Sequence, residues 1–489
     1  MESMPWMEDI FIVCYLVVLG GLSMYGLHRA GLVFLYWRSR KHEEPEPEKW
    51  EDLPVVTVQL PMFNEKFVAE RLIDAVCAID YPREKLEIQV LDDSTDDTQE
   101  IARRTVRHYR EQGVDIHYIN RVDRTGFKAG ALEGGMKVAR GEYILIFDAD
   151  FVPRPDIVNL MIHHFTDPTV GMVQTRWGHI NKNHSLLTRV QSLMLDGHFM
   201  IEHNARYRTG RYFNFNGTAG MWRKAAIQDA GGWQHDTITE DMDLSFRAQL
   251  KGWRFVYRPD VISPAELPQD FNSFKAQQFR WAKGSIQVAR KLLLTVLRAP
   301  IPFKVKVEAF FHLTNNIAYL FMVPLAMLIL PTILFRTEQG VKEVLLIDLP
   351  LFLGTTCAIA LFYLVTYRVV HGRWRGGFLL LPALMMVGIG ISLNNARAVL
   401  EGFLSGSAEF IRTPKTGLVA SRDSVPPGSR KWYRPVKSAF TIVELLFGSY
   451  FALTLYLALE GGHFSAVPFL LLFLVGYFVV GFGSMVRRV

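Results

Sequence analysis

Charge is scarce in this sequence. Only 21% of its 489 residues are Asp, Glu, Lys or Arg, against about a quarter in a typical soluble domain, so part of the chain does not face water. Cysteine is scarcer still. Cys14, Cys77 and Cys357 lie far apart without metal-ligand spacing, which excludes a small disulfide scaffold. Glycine (37) and proline (23) are too few for collagen, and 49% hydrophobic residues are too many for a disordered chain. A Walker glycine loop and a GxGxxG turn are both absent, so a bound nucleotide has to be held by a metal and side chains. The net charge of +6 is modest, and no nucleic-acid partner is expected.

The apolar residues gather at the two ends. Residues 10–36 hold no acid and one strong base, Arg29, which is long enough for one membrane span. A signal peptide is the rival reading. The run is too long for one, is preceded by acids and lacks a small-residue cleavage site. Beyond residue 308 come further apolar runs at 308–335, 344–368, 376–396, 436–459 and 466–486. Basic clusters at Arg38 to Lys41, Arg368 to Arg375, Arg412 to Lys437 and Arg487-Arg488 place those loops and the middle domain in the cytoplasm. Six crossings would put Arg412–Lys437 outside. The run 376–396 is short, carries Pro382 and ends in Asn394-Asn395, so it reads as interfacial or re-entrant. Five spans remain, in a cell inner or plasma membrane, with the N-terminus outside and the C-terminus inside.

Between the ends, short β-branched runs alternate with helical patterns. Strands are predicted at Val55–Leu60, Glu87–Leu91, Asp115–Ile119 and Tyr143–Phe147. Helices are predicted at Val68–Ile79, Thr98–Glu111 and Lys128–Ala139. This alternation implies a mostly parallel sheet, with ligand beyond the carboxyl ends of its strands. Asp92-Asp93 follow the second strand and Asp148-Ala149-Asp150 the fourth. Acid pairs at two strand ends repel unless a cation is held there, and carboxylates suit Mg²⁺ or Mn²⁺. Thr239-Glu240-Asp241 precedes a helical pattern, where Thr239 can also be read as a helix cap. Gln277-x-x-Arg280-Trp281 lies in an amphipathic basic stretch, Phe271 to about Leu294, that can also be read as an interfacial anchor.

In this order, flanked by membrane runs, the four motifs resemble the processive family 2 glycosyltransferases, which include cellulose, hyaluronan and chitin synthases. The phrases Gln89 to Asp96, Gly126-Phe127-Lys128-Ala129-Gly130-Ala131-Leu132 and Phe215-Asn216-Gly217-Thr218-Ala219-Gly220 are most similar to plant-type mannan and glucomannan synthases. The resemblance implies an α/β GT-A-type domain at 51–270, set into an α-helical membrane domain. It implies a membrane helix and linker at 1–50 and interfacial helices at 271–307. The remainder, 308–489, would be a channel region with an interfacial helix at 376–403 and a gating-like loop at 409–417.

It further implies that Pro61, Asn64, Glu65, Asp92, Asp93, Lys128, Asp148, Gln277, Arg280 and Lys415 bind the donor, UDP-glucose or GDP-mannose. Asp148 and Asp150 would hold the metal. Asp241, beside Glu240, would be the general base of an inverting transfer. Trp281, Gly217 and Thr218 would hold the acceptor. Phe63 stands where many relatives have tyrosine, and Arg412 where the gating loop has valine. Control by a cyclic dinucleotide is not expected. The expected activity is polymerisation of a β-linked glucan or mannan with passage across the bilayer. Single-sugar transfer to a lipid, as in ceramide glucosyltransferase-like enzymes, is the main alternative. A transporter with a cytoplasmic domain would leave the ordered carboxylates unexplained.

Overall fold

The computed structural model describes residues 5–41, 45–335, 349–404, 415, 417 and 440–485. Arg487-Arg488 and, apart from Lys415 and Gly417, the basic loop Arg412–Lys437 lie outside these residues, as do Phe410 and most of the gating-like loop.

The alternation expected from the sequence produces one sheet, and it is wider than expected. Its strands are β1 (Val56–Met62), β2 (Leu86–Asp92), β3 (Ile116–Asn120), β4 (Tyr143–Ile146), β5 (Val170–His179), β6 (Gly220–Arg223) and β7 (Arg254–Ala265). They lie in the order β3-β2-β1-β4-β6-β5-β7. β1 pairs in parallel with β2 and β4, and β2 with β3. β6 runs antiparallel to both β4 and β5, while β7 is parallel to β5. The helices Ala69–Cys77, Thr98–Glu111 and Phe127–Val138 are the crossovers between the first four strands.

Alternation along β1 divides its residues between two environments. Val56, Val58, Leu60 and Met62 pack with Leu72, Ile73 and Val76 of the first crossover helix. Thr57 and Gln59 point the other way and are fully buried, so they must be hydrogen-bonded. Thr57 donates to Glu87 Oε2 at 2.5 Å and Gln59 to Gln89 Oε1 at 3.0 Å. The third crossover helix lies directly over this polar ladder: a Cβ on Gly135 would stand 2.5 Å from Gln59 Nε2. A side chain there would push the helix off the sheet.

Five helices are long and apolar enough to cross a membrane: Ile10–Ser39, Phe303–Leu334, Pro350–His371, Phe440–Glu460 and Phe464–Met485. The pair Arg375–Gly390 and Ser392–Leu404 is bent by 46° where the sequence expectation placed an interfacial or re-entrant segment. Val13, Val17, Leu27, Ile442 and Leu446 are exposed on these helices, an outward apolar surface suited to lipid. Ion pairs fasten Phe440–Glu460 and Ser392–Leu404 to the helix Phe271–Arg298, and the first of them is buried. Lys275 meets Glu444 at 2.5 Å and Lys283 meets Glu401 at 3.1 Å.

Candidate active site

The carboxyl ends of β1 and β4 open on a cavity of about 200 Å³, also walled by the loop before β6, the start of the helix Glu240–Leu250 and the helix Phe271–Arg298. All four sequence motifs contribute to it. Glu65, Asp93, Asp148, Asp150, Glu240, Asp241, Gln277, Arg280 and Trp281 line the cavity together with Pro61, Lys128, Gly217 and Lys415.

The sharp turns around this space are built with unusual backbone. Asn64, Phe127 and Ala219 all have positive φ, a conformation that costs non-glycine residues energy and collects at functional sites. Gly217 also has positive φ, and a Cβ on it would lie 3.0 Å from Asp241 Oδ2. That glycine allows the loop before β6 to approach the Asp241 carboxylate.

Lys128 joins two walls: its Nζ meets Asp148 Oδ1 at 2.5 Å and donates to the Gly217 carbonyl at 2.8 Å. Thr218 does not line the cavity, but its Oγ1 accepts from the Asp148 amide at 2.8 Å. Lys415 lies on Asp150, with Nζ 2.5 Å from Oδ2, and also donates to the Glu266 carbonyl at 2.8 Å. Lys415 therefore lines the cavity.

Asp92 and Asp93 do different work although they are adjacent. Asp92 is fully buried and accepts from the Ser94 amide (2.9 Å) and Tyr118 Oη (2.7 Å). It lies behind the cavity wall. Asp93 faces the cavity and is gripped by Arg121, whose Nε is 2.9 Å from Oδ1. Asn64 is also outside the lining. Its amide donates to Ser94 Oγ and its Oδ1 accepts from the Thr95 amide, each at 2.8 Å, tying the end of β1 to that of β2.

Three contributors have no role assigned to them by the sequence. Arg124 stacks its guanidinium 3.3 Å from the centre of the Phe63 ring, so a cation stands at the position whose hydroxyl is missing. Trp177, from β5, lies 6.5 Å from Trp281 between ring centres and 5.4 Å from Phe151. Together with Trp281 it gives the cavity an aromatic side. Asn216 completes the loop before β6. The aromatic-basic wording Arg176-Trp177 was the only signal available for the second of these.

Electrostatics sets Asp241 apart. Burial, then the adjacent Glu240, pushes its carboxyl up to about 7, against the pull of Lys128. Burial raises Glu240 as well. Lys128 is held above its usual range because Asp148 and Glu240 outweigh its burial. Burial brings Arg280 down to about 10, still a cation at neutral pH. Thr239 does occupy the cap position of its helix, but its side chain makes no cap hydrogen bond.

Six carboxylates and four basic side chains line this cavity. A diphosphate would add negative charge to this acidic rim, which a further cation would balance. Asp148 and Asp150 offer hard oxygens that fit Mg²⁺ or Mn²⁺. Among the described residues no cluster of three or more His, Cys, Asp or Glu could hold a metal alone. The remaining ligands would have to come from the donor.

Comparisons with known proteins identify the family. Residues 54–284 match the model of the "Glycosyltransferase like family 2" family. Glucomannan 4-beta-mannosyltransferase 1 of Oryza sativa subsp. japonica is 36% identical over 446 residues, covering 88% of this chain and 82% of that protein. Glucomannan 4-beta-mannosyltransferase 7 of Arabidopsis thaliana is 33% identical, covering 98% and 87%. In fold, the chain is similar to the mannosyltransferase PcManGT from Pyrobaculum calidifontis, solved in complex with GDP-Man and Mn2+. The TM-score is 0.55 at 20% identity, over 80% of this chain and 99% of that one. The fold is GT-A-like, and the resemblance read from the motifs holds. The chain belongs to the family 2 glycosyltransferases, in the cellulose synthase-like group of the glucomannan 4-beta-mannosyltransferases.

Proposed function

We propose that the protein transfers mannosyl residues from GDP-mannose to the end of a growing β-mannan or glucomannan, with inversion, and passes the product into the membrane. Of the two donors the motifs allow, GDP-mannose is the one that carries the sugar in the relatives' names. The observation that carries the reading is the placement of Asp241. It is a carboxylate tuned to about 7, in one cavity with the Asp148–Asp150 pair, Arg280 and two tryptophans.

In the reaction, a hydroxyl of the acceptor's terminal sugar attacks the anomeric carbon of the donor. Asp241 takes the hydroxyl proton as the new C–O bond forms, and the bond to the diphosphate breaks with its electron pair leaving on GDP. Arg280 and Lys128 neutralise that leaving charge where water is excluded. Asp148 and Asp150 would hold a divalent cation, which when bound supplies Lewis-acid stabilisation of the diphosphate. Phe63, Arg124 and Asp93 form the slot for the base, and Trp281 with Trp177 stacks on the acceptor sugar.

Asp241 must be ionised to accept a proton. kcat/KM is therefore expected to rise with pH through an acid limb centred near 7, belonging to the coupled Asp241–Glu240 pair. An initial-rate profile from pH 5 to 9 reads it. A flat profile over that range contradicts the assignment.

A second cavity, of about 680 Å³, supports export. It is lined by Met194, Glu202 and Arg206 of the sheet domain, continues past Tyr25 and Tyr363 of the membrane helices, and reaches His463. His463 lies in the turn between the last two membrane helices, at the far end of those helices from the Phe271–Arg298 helix. Its wall is mostly apolar, with Leu22, Ile329, Leu470 and Phe473 among the lining residues, but Tyr25, Arg29, Tyr319 and Tyr363 offer hydrogen-bonding groups along the path. Trp281→Ala and Trp177→Ala are expected to shorten the product while leaving the KM for donor near its original value. Unchanged length and yield in both variants removes the acceptor platform.

The experiment that tests the reading is product partition. Purified protein in lipid vesicles, given radiolabelled GDP-mannose and Mn²⁺, should yield label that stays in the aqueous or insoluble polymer fraction. Label extracted wholly into organic solvent would instead establish transfer to lipid.

A further inference from the structure

The loop before β6 is held from behind by half-buried and buried polar groups that no step of transfer uses. The helix Leu186–Asp196 continues through a π-helical turn, Gly197–His203, a feature that often marks functional positions. His198, on that turn, faces an oxygen from each of its ring nitrogens. Nε2 is 2.9 Å from Asn216 Oδ1 and Nδ1 is 3.2 Å from Glu202 Oε2. Asn216 is gripped again on its other side, where Nδ2 lies 3.0 Å from His203 Nε2.

Behind Glu202 the chain of contacts continues into the membrane domain. Arg206 Nη1 is 3.6 Å and Arg29 Nη2 4.0 Å from the Glu202 carboxylate. Arg206 also donates from Nε to Glu308 at 2.9 Å, and His28 meets the same carboxylate at 3.1 Å. Glu202 is only 6% exposed and Arg206 1%. Burial opposes the Glu202 charge, but the His198 hydrogen bond and the Arg206 and Arg29 charges outweigh it and hold the carboxyl well below its usual range. Burial, with His198 and Arg206 nearby, holds His203 well below its own, so it is neutral. The cluster thus ends on two cavities. Asn216 lines the site beside Asp241, whereas Glu202, Arg206, Arg29 and His28 line the membrane cavity.

We propose that His198 and Glu202 are positioning residues that fix Asn216, and with it the acceptor loop, against Asp241, and that tie this placement to the wall of the membrane cavity through Arg29 and Arg206. The inference rests on the reading of the two cavities as acceptor site and exit path. Asn216 is adjacent to Gly217, whose close approach to Asp241 leaves little tolerance for a shifted loop. A misplacement of about an ångström at a reacting centre is enough to cost a large factor in rate. Because Glu202 serves both His198 and Arg29, the same carboxylate answers to the acceptor loop and to whatever occupies the membrane cavity.

The test uses the full-length protein in vesicles with soluble β-linked manno-oligosaccharides as acceptors and GDP-mannose as donor. His198→Ala is expected to raise the acceptor KM about tenfold, the size of one hydrogen bond lost, with donor affinity unchanged. His198→Gln, which keeps an amide able to reach Asn216 or Glu202, should recover part of that loss. Glu202→Gln should act in the same direction as His198→Ala. If His198→Ala proves unstable on thermal unfolding, the Gln variant carries the comparison alone. An acceptor KM equal to that of the original protein in both His198 variants overturns the proposal, as does an equal loss in donor and acceptor terms. Failure of the original protein to extend any oligosaccharide would instead overturn the reading of function on which the proposal rests.

Discussion

Asp241→Asn is expected to lower kcat by about 10²–10⁴, with GDP-mannose bound about as tightly as before. Asp241 would act on the acceptor hydroxyl. The donor would be held by the Asp148 side of the cavity and by Arg280. The amide keeps the shape of the carboxylate and its hydrogen bond from the Met242 amide, 2.8 Å in the parent, but cannot accept a proton. The same variant should be more stable at pH 8. The folded state keeps the Asp241 proton up to about 7, whereas an unfolded chain releases it in the ordinary carboxylate range. The stability tied to that proton is present at low pH and is lost as pH rises through about 7. Asn removes that penalty. A thermal melt and an initial-rate assay on one preparation check both signs. A variant that loses donor binding instead would make Asp241 a pocket residue.

Loss of the divalent cation should be as severe. Asp150→Asn and Asp148→Asn are expected to abolish detectable polymer synthesis, and chelation with EDTA should do the same to the unaltered protein. Burial already holds Asp148 above its usual range, with Asp150 adding to it and Lys128 opposing. A second carboxylate and an incoming diphosphate therefore have to be balanced by positive charge. Removing either Asp also removes a partner of Lys128 or Lys415, so circular dichroism should accompany the assay to show the fold intact. Full activity of either variant in EDTA contradicts the metal reading.

How much of this was legible in the sequence depended on how local each signal was. β1, β2 and β4 are short apolar runs bounded by turn residues, so their carboxyl ends, and Asp148 and Asp150 after β4, could be placed in advance. β5, β6 and β7 could not. β6 has four residues. β5 carries Gln174, Thr175 and Arg176 within an apolar strand, where Gln174 serves the carbonyls of Thr218 and Ala219. β7 contains Pro259 and Pro264, which only an edge strand tolerates, and its register against β5 slips beside Thr175 and Arg176.

The same limit applied to single residues. Asp92 and Asp93 look equivalent in the sequence, yet consecutive positions at a strand end point to opposite sides, and only Asp93 reaches the cavity. Trp177 lies outside every motif, and Arg124 and Asn216 lie beside or inside motif phrases that give them no role, so only the folded sheet brings them to Trp281, Phe63 and Asp241. The His198–Glu202 spacing is an ordinary helical one. Its meaning depends on Asn216 arriving from another loop.

The most direct test of the central claim is the anomeric configuration and linkage of the product. Protein in vesicles should be given GDP-mannose and, separately, UDP-glucose, each with Mn²⁺, and the products analysed by linkage and by nuclear magnetic resonance of the anomeric protons. The account predicts a polymer of β-linked mannosyl residues from GDP-mannose. A product with α linkages, or a single sugar on lipid, would contradict it.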